Sequence, residues 1–157
     1  MAKKGNNLVL DKELREKADK KVSKDGWLRA AMMIEVLAAN RDAAKSALEK
    51  HVDSLAGHKQ VILYKREYSD IEKIENPLPK RPDIKEAYSY VVEVECALHR
   101  YEDLIAAVMT YGPSSVEILE PSSLKLELGE AQGIVNTIAD MIHKFVAAGV
   151  GGIIVKS

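Results

Sequence analysis

The sequence predicts an α+β domain in which an antiparallel sheet carries two strand–helix–strand units. The chain has 157 residues, of which 46% are hydrophobic, enough for one buried core. The stretch 31–68 ("AMMIEVLAANRDAAKSALEKHVDSLAGHKQVILYKREY") shares its order of apolar and polar positions with 90–120 ("YVVEVECALHRYEDLIAAVMTYGPSSVEILE"). Ile34 aligns with Val92 and Gly57 with Gly112, which puts the two units about 55 to 58 residues apart. The pattern therefore indicates two similar units, whether or not they arose by duplication.

The N-terminal segment "DKELREKADKKVSKDG" predicts a helix. Asp11 is a suitable N-cap, and Glu13 and Glu16 each precede a lysine by four residues. Asp25-Gly26 ends the helix. Its apolar stripe is thin, so it is either a surface helix on the domain or an arm that packs on a neighbouring subunit.

The first unit begins at Trp27 with "WLRAAMMIEVLA", whose alternating residues predict a strand. The stretch "NRDAAKSALEKHVDSLAG" has helical spacing, with Asn40 or Asp42 as N-cap and Gly57 as stop. "QVILYKREY" predicts a second strand. The next segment, "SDIEKIENPLPKRPDIKEA", holds three of the five prolines, which favours a loop or a long hairpin arm.

The second unit repeats this order with strand "YSYVVEVECAL", helix "RYEDLIAAVMTYG" and strand "SSVEILEP". Two consecutive units joined by a hairpin give the order β-α-β-β-α-β. This is the split-βαβ or ferredoxin-like arrangement, with both helices on one face of an antiparallel sheet.

The C-terminal part predicts three further elements. "SSLKLEL" alternates leucines with charged residues, as in a short amphipathic strand or an extended edge. A long helix from Glu130 to Ala148 follows, and we expect it over the sheet or across a subunit interface. A glycine hinge and a last strand at Ile153 to Val155 end the chain. The helix has one apolar face, formed by Ile134, Ile138, Met141, Ile142 and Phe145. We treat 1–157 as one domain, with a helical arm at 1–26, a βαββαβ core at 27–124, and a helix and tail at 125–157.

At fold level, the segment from Arg29 to Leu124 resembles ACT-like and other ferredoxin-like regulatory domains. ACT domains bind amino acids at a glycine-bearing loop after the first strand, whereas the corresponding "AANRD" contains no glycine. The stretch "YGPSSVEILEPSSL" resembles the closing strand of the C-terminal extension in WYL-domain transcriptional regulators. The remaining parts of those regulators have no counterpart in this sequence, so a transcriptional role is not implied.

Charge and composition limit the classes of partner. With 23 basic and 24 acidic residues the net charge is −1, which disfavours general nucleic-acid binding. The apolar stretches are under ~18 residues, and the N-terminus lacks a secretory signal, so we expect a cytoplasmic protein that does not bind membranes. The lone Cys96 agrees with a reducing compartment.

Candidate functional residues are few, because nucleotide-binding, nucleophile-elbow and HExxH patterns are absent from the sequence. Residues of ligand-binding type are Glu35 and Glu93 at matching positions of the two units, and His99, Arg100 and Tyr101 at the start of the second core helix. His51 and His58 are seven residues apart, too far on one helix to chelate one metal ion directly. We expect no metal site, no cofactor and no reactive thiol at Cys96.

Three functions follow from these residues. The first is a non-enzymatic, homo-oligomeric binding or regulatory module for a small molecule or a partner protein. The second is an enzyme without a familiar motif that uses Glu93, His99, Arg100 and Tyr101. The third is RNA binding by a sheet face that carries Tyr88 and Tyr90.

Overall fold

An antiparallel sheet with helices on both faces forms the fold, and the computed structural model describes residues 7–149. The strands pair in the order β1-β3-β5-β2-β6, and β4 pairs with the beginning of β5. The predicted α+β class and long C-terminal helix are therefore confirmed. In chain order the elements are β1 (Asn7–Leu10), α1 (Lys12–Asp25), β2 (Leu28–Ala38), α2 (Arg41–Ala56), β3 (Val61–Tyr68), β4 (Glu72–Glu75), β5 (Glu86–Leu98), α3 (Tyr101–Tyr111), β6 (Ser115–Glu120) and α4 (Leu128–Ala147).

Local side chains set the helix ends. Asp11 accepts a hydrogen bond from the Leu14 N–H at 3.0 Å, and Asn40 accepts one from the Ala43 N–H at 2.8 Å. Asp11 was the predicted N-cap of α1, and Asn40 is the one of the two predicted residues that caps α2. Gly112 ends α3 in the left-handed conformation, with φ of 56°.

The main core lies between the sheet and the helices α2 and α3. Alternate β5 residues such as Val92, Val94 and Leu98 are fully buried against this side, and α2 meets them with Leu48 and Val52. Each such aliphatic side chain contributes about 1.5–3 kcal/mol by leaving water. The alternation of Val92, Val94 and Cys96 with the more exposed Val91, Glu93 and Glu95 follows from the period of two in a strand.

The opposite face of the sheet is partly covered by α1. Ala18 is fully buried there in a second cluster with Trp27, Ile62, Tyr64 and Ala97. Helix α1 therefore lies on the sheet of its own chain, which is the first of the two placements that the sequence left open. None of the helices in residues 7–149 is both long and apolar enough to cross a membrane.

The structure corrects or completes several expectations about local structure. Residues 121–127 form no strand, so the strand predicted for "SSLKLEL" is wrong. Strand β1 was not predicted, and it pairs with Lys65–Tyr68 of β3. Helix α4 packs against α3 and not over the sheet. The proline-rich segment does form a hairpin arm through β4, and the predicted last strand at 153–155 lies outside the described residues.

Candidate functional site

The predicted ligand-binding residues fall into two separate groups. Glu35 and Glu93 share the face of the sheet on which α1 lies, where Glu93 pairs with Met33 and Glu35 with Val91 across the β2–β5 ladder. Ser89 Oγ donates a hydrogen bond of 2.6 Å to Glu35 Oε1. The two carboxylates are therefore diagonal neighbours on one sheet face.

The second group lies where β5 ends. The His99 ring is tilted against Trp27, with 5.0 Å between ring centroids. The Arg100 N–H donates to Asp103 Oδ2 at 3.0 Å, and Tyr101 begins α3 and packs on the core. His99 is six residue steps beyond Glu93 along β5, a distance of about 20 Å. The structure thus does not bring Glu93 together with His99, Arg100 and Tyr101, as the enzyme hypothesis required.

The histidines of α2 and its C-terminal turn meet at Tyr111 instead of a metal. His51 Nε2 donates to the main-chain O of Tyr111 at 3.0 Å, and His58 Nε2 lies 2.6 Å from the Tyr111 hydroxyl. Ser54 Oγ is 3.0 Å from the same hydroxyl. These contacts join the C-terminal ends of α2 and α3. Within residues 7–149, no group of three His, Cys, Asp or Glu side chains could hold a metal ion.

Cys96 and the two tyrosines of the RNA hypothesis lie on the α2 and α3 side of the sheet. Burial, followed by the nearby Glu95 carboxylate, raises the pKa of the Cys96 thiol to about 12, so it is protonated near neutral pH. Tyr90 is buried and stacks on Tyr68, with 5.3 Å between centroids, and Tyr88 packs on the same core. The two tyrosines offered for base stacking are thus on the covered face of the sheet.

A groove of about 490 Å³ lies at the edge of the sheet, along the first half of β3. Its floor is Val61, Ile62 and Leu63, and its walls are α1 on one side and the end of α2 with the following turn on the other. The groove exists because β1 pairs with β3 over Lys65–Tyr68 and leaves the first half of that edge without a neighbouring strand among the described residues.

Cations line this groove, which we call the β3-edge groove. Lys17 and Lys21 come from α1, Lys59 from the α2–β3 turn and Arg66 from β3, and no carboxylate is among its lining residues in the described chain. Lys21 pairs with Asp25 at 3.2 Å and Arg66 with Asp53 at 2.6 Å. Lys17 and Lys59 form no ion pair with any residue in 7–149. The groove therefore has uncompensated positive charge beside an apolar floor.

The aromatic wall of the groove is Trp27, the only tryptophan of the chain. Lys21 Nζ lies 5.4 Å from its ring centroid, within the range of a cation–π contact, and His99 packs against the same ring. His99 is thus the one predicted ligand-binding residue that the structure joins to this groove, through Trp27.

Sequence reasoning missed the groove for a definite reason. Its two uncompensated lysines are far apart in the chain, and each looks like a solvated surface residue when considered alone. Lys17 was interpreted only as the i+4 partner of Glu13 within α1. Only the fold brings the two lysines together, because α1 and the α2–β3 turn converge on one strand edge.

Comparison with known proteins adds a family. The model of the MJ0538 family matches residues 29–156, most of the chain. The chain belongs to the MJ0538 family. The matched range includes β3 and α4 but not α1, which forms one wall of the groove. No curated protein and no solved structure matches the chain, so the resemblances to ACT-like and WYL-domain proteins stay predictions.

Proposed function

We propose that this MJ0538-family protein is a non-enzymatic binding module whose β3-edge groove takes up an acidic, extended segment of a partner protein. One juxtaposition supports the proposal: within residues 7–149 the first half of β3 has no neighbouring strand on its outer edge, and Lys17 and Lys59, which form no ion pair there, lie beside it. A peptide that adds to a sheet edge gains main-chain hydrogen bonds, and its alternate side chains reach the walls.

The main chain of β3 supports strand addition. The His99 N–H donates to Gln60 O at 3.0 Å, which fixes Gln60 as a residue that bonds toward β5. In an antiparallel ladder this orientation alternates, so Val61 and Leu63 direct main-chain groups to the groove side. The Val61 N–H already donates to His58 O at 3.1 Å, so an added segment would pair with the Val61 carbonyl and the Leu63 main chain. An added segment would continue the row that β1 occupies beside Lys65–Tyr68.

We also assign the core of the fold to the ferredoxin-like arrangement. The segments β2-α2-β3-β5-α3-β6 follow the order β-α-β-β-α-β, and their four strands lie in the order β3-β5-β2-β6. In this arrangement β3 is an edge strand of the basic fold. Strand β1 is an addition that pairs with only the second half of that edge.

Trp27 fluorescence gives a direct test, since this single tryptophan lines the groove. The probe is a blocked six-residue peptide of alternating valine and glutamate, titrated into the full chain at low salt. We expect saturable binding that weakens as salt increases. The same peptide with lysine in place of glutamate should not bind, and an N-methylated version should bind more weakly because it cannot pair with the strand edge.

A charge-reversal variant with a matched control locates the site. Lys17→Glu with Lys59→Glu replaces two attractions by repulsions, so we expect affinity for the valine–glutamate peptide to fall roughly tenfold or more. Lys45→Glu with Lys80→Glu makes the same change in net charge at exposed positions outside the groove and should have little effect. Equal effects of the two variants would reject the groove. If inorganic triphosphate binds tightly and the peptide does not, the ligand of the groove is a small anion and the peptide proposal is wrong.

A further inference from the structure

Helix α4 has two neighbouring apolar stripes, and α3 covers one of them. On the covered stripe Ile134 is buried, Gly133 faces Glu102, and Thr137 Oγ1 donates to Glu102 Oε1 at 3.4 Å. On the second stripe Leu128 is 85% exposed, Val135 60%, Ile142 54% and Phe145 42%. These are large apolar side chains in contact with water within residues 7–149.

The second stripe follows the spacing of a coiled-coil seam. Its members succeed one another at steps of three and four residues: Leu128, Ala131, Val135, Ile138, Ile142 and Phe145. This is the a/d pattern of paired helices, sustained over the 20 residues of α4, or about 30 Å. At 100° per residue the seam lies about 100° around the helix from the stripe that meets α3, so α3 cannot cover both.

We propose that this α4 seam packs against the α4 seam of a second copy of the chain, with the two helices antiparallel. In that orientation each a position meets a d position of the partner, which gives three kinds of layer, each occurring twice. Leu128 faces Phe145, Ala131 faces Ile142, and Val135 faces Ile138. All six layers are apolar, and the smallest side chain faces a large one.

Size and charge favour a second copy in this orientation. Parallel pairing would place Ala131 opposite Ala131 and Phe145 opposite Phe145, leaving one layer underfilled and another overfilled. Antiparallel helix dipoles also attract each other. The residues beside the seam on its open flank, Gln132, Ala139 and Val146, carry no charge, so two copies can approach without repulsion.

A membrane surface fits this helix less well. Interfacial helices carry an excess of Lys and Arg on the polar face, whereas the charged residues of α4 are Glu130, Asp140 and Lys144, and Asp140 pairs with Lys144 at 2.9 Å. The seam uses none of the residues of the β3-edge groove. Self-association and peptide binding can therefore fail independently of each other.

Sedimentation of the full chain at micromolar concentration tests the proposal. We expect a species of twice the chain mass. Ile138→Asp should raise the dimer dissociation constant about a hundredfold or more, because it buries a carboxylate in a central layer. Asn136→Asp introduces the same side chain at an exposed position of α4 outside the seam and should leave the dimer intact. Because Ile138 is partly exposed in one chain, the monomeric variant should keep its helical circular dichroism.

Cysteine cross-linking tests the orientation. In the antiparallel pair Ala131 lies beside Ile142 of the second copy, while the two Ala131 positions are 11 residues, or about 16 Å, apart along the helix. An equal mixture of Ala131→Cys and Ile142→Cys chains should oxidise to a mixed dimer, and neither variant alone should cross-link. A monomeric wild type, a dimer that tolerates Ile138→Asp, or cross-linking of Ala131→Cys alone would each overturn the proposal. So would binding to neutral lipid vesicles that competes with dimer formation.

Discussion

Arg29 joins three elements of the fold through one guanidinium group. Its Nε donates to Glu120 of β6 at 2.6 Å, Nη1 to the Tyr64 hydroxyl of β3 at 2.6 Å, and Nη2 to Asp19 of α1 at 2.5 Å. Tyr64 in turn donates to Glu95 of β5. These partners are 10, 35 and 91 residues from Arg29 in sequence, so the network could not be found before the fold was known.

Removal of this guanidinium group should be costly. We expect Arg29→Gln to lower the free energy of unfolding by about 1–3 kcal/mol, because the Arg29 side chain is largely buried and its loss leaves Tyr64 and two carboxylates without their donor. Arg81→Gln removes an exposed pair with Asp83 and should leave stability almost unchanged. Urea unfolding of the two variants measures the difference, and equal losses would show that the network contributes little.

Tyr64 should make the fold sensitive to alkali. Burial, followed by its hydrogen bond to Glu95, raises the pKa of the Tyr64 hydroxyl above its ordinary value of about 10. A tyrosine with a raised folded-state pKa holds its proton longer in the native chain, so its contribution is complete below about pH 10 and declines above it. Tyr64→Phe should therefore lose less stability than the wild type as the pH rises from about 10 to about 12. Parallel stability curves over this range would contradict the assignment.

At the scale of elements, alternation of side chains predicted a strand correctly where a partner strand and a covering helix were both present. Ile34 and Val92 are of this kind, and both are buried under α2 and α3. "SSLKLEL" alternates equally well, but Leu124 and Leu126 are exposed and lie beside no strand. For β1 the error is the opposite one, a strand that the pattern did not predict. Its four residues are exposed, and they form a strand only through pairing with β3.

The end of α3 offers a matched pair of glycine substitutions. Gly112 has φ of +56°, so an alanine there would adopt a left-handed backbone, and we expect Gly112→Ala to cost about 1–2 kcal/mol of unfolding free energy. Gly57 ends α2 with φ of −78°, and an added Cβ would meet its neighbours at ordinary distances of 3.5 Å. Gly57→Ala should be neutral or stabilise by up to about 1 kcal/mol. Thermal unfolding of both variants tests this, and a neutral Gly112→Ala would show that the turn relaxes.

At the scale of the whole molecule, α1 has two roles that the sequence could not connect. The sequence shows its apolar stripe, which consists of Leu14, Ala18 and Val22. Packing of this stripe on the domain is one of the two placements that the sequence predicts. The position of that surface depends on β3 and β5, whose residues Ile62 and Ala97 complete the cluster. Because α1 docks at this place, Lys17 and Lys21 become a wall of the β3-edge groove.

A charge at Ala18 should disrupt the docking of α1, and with it the β3-edge groove, while α4 keeps its seam. Ala18 has no exposed surface and packs in the cluster with Trp27 and Tyr64, so Ala18→Glu would bury a carboxylate without a partner or displace α1 from the sheet. We expect a loss of about 3 kcal/mol or more, a red shift of Trp27 fluorescence and loss of valine–glutamate peptide binding. Lys20→Glu, on the exposed side of α1, should do none of these. Dimer formation through α4 should survive at temperatures where the Ala18→Glu core remains folded, because the seam contains no residue of α1. Peptide binding retained by Ala18→Glu would show that the groove does not need a docked α1.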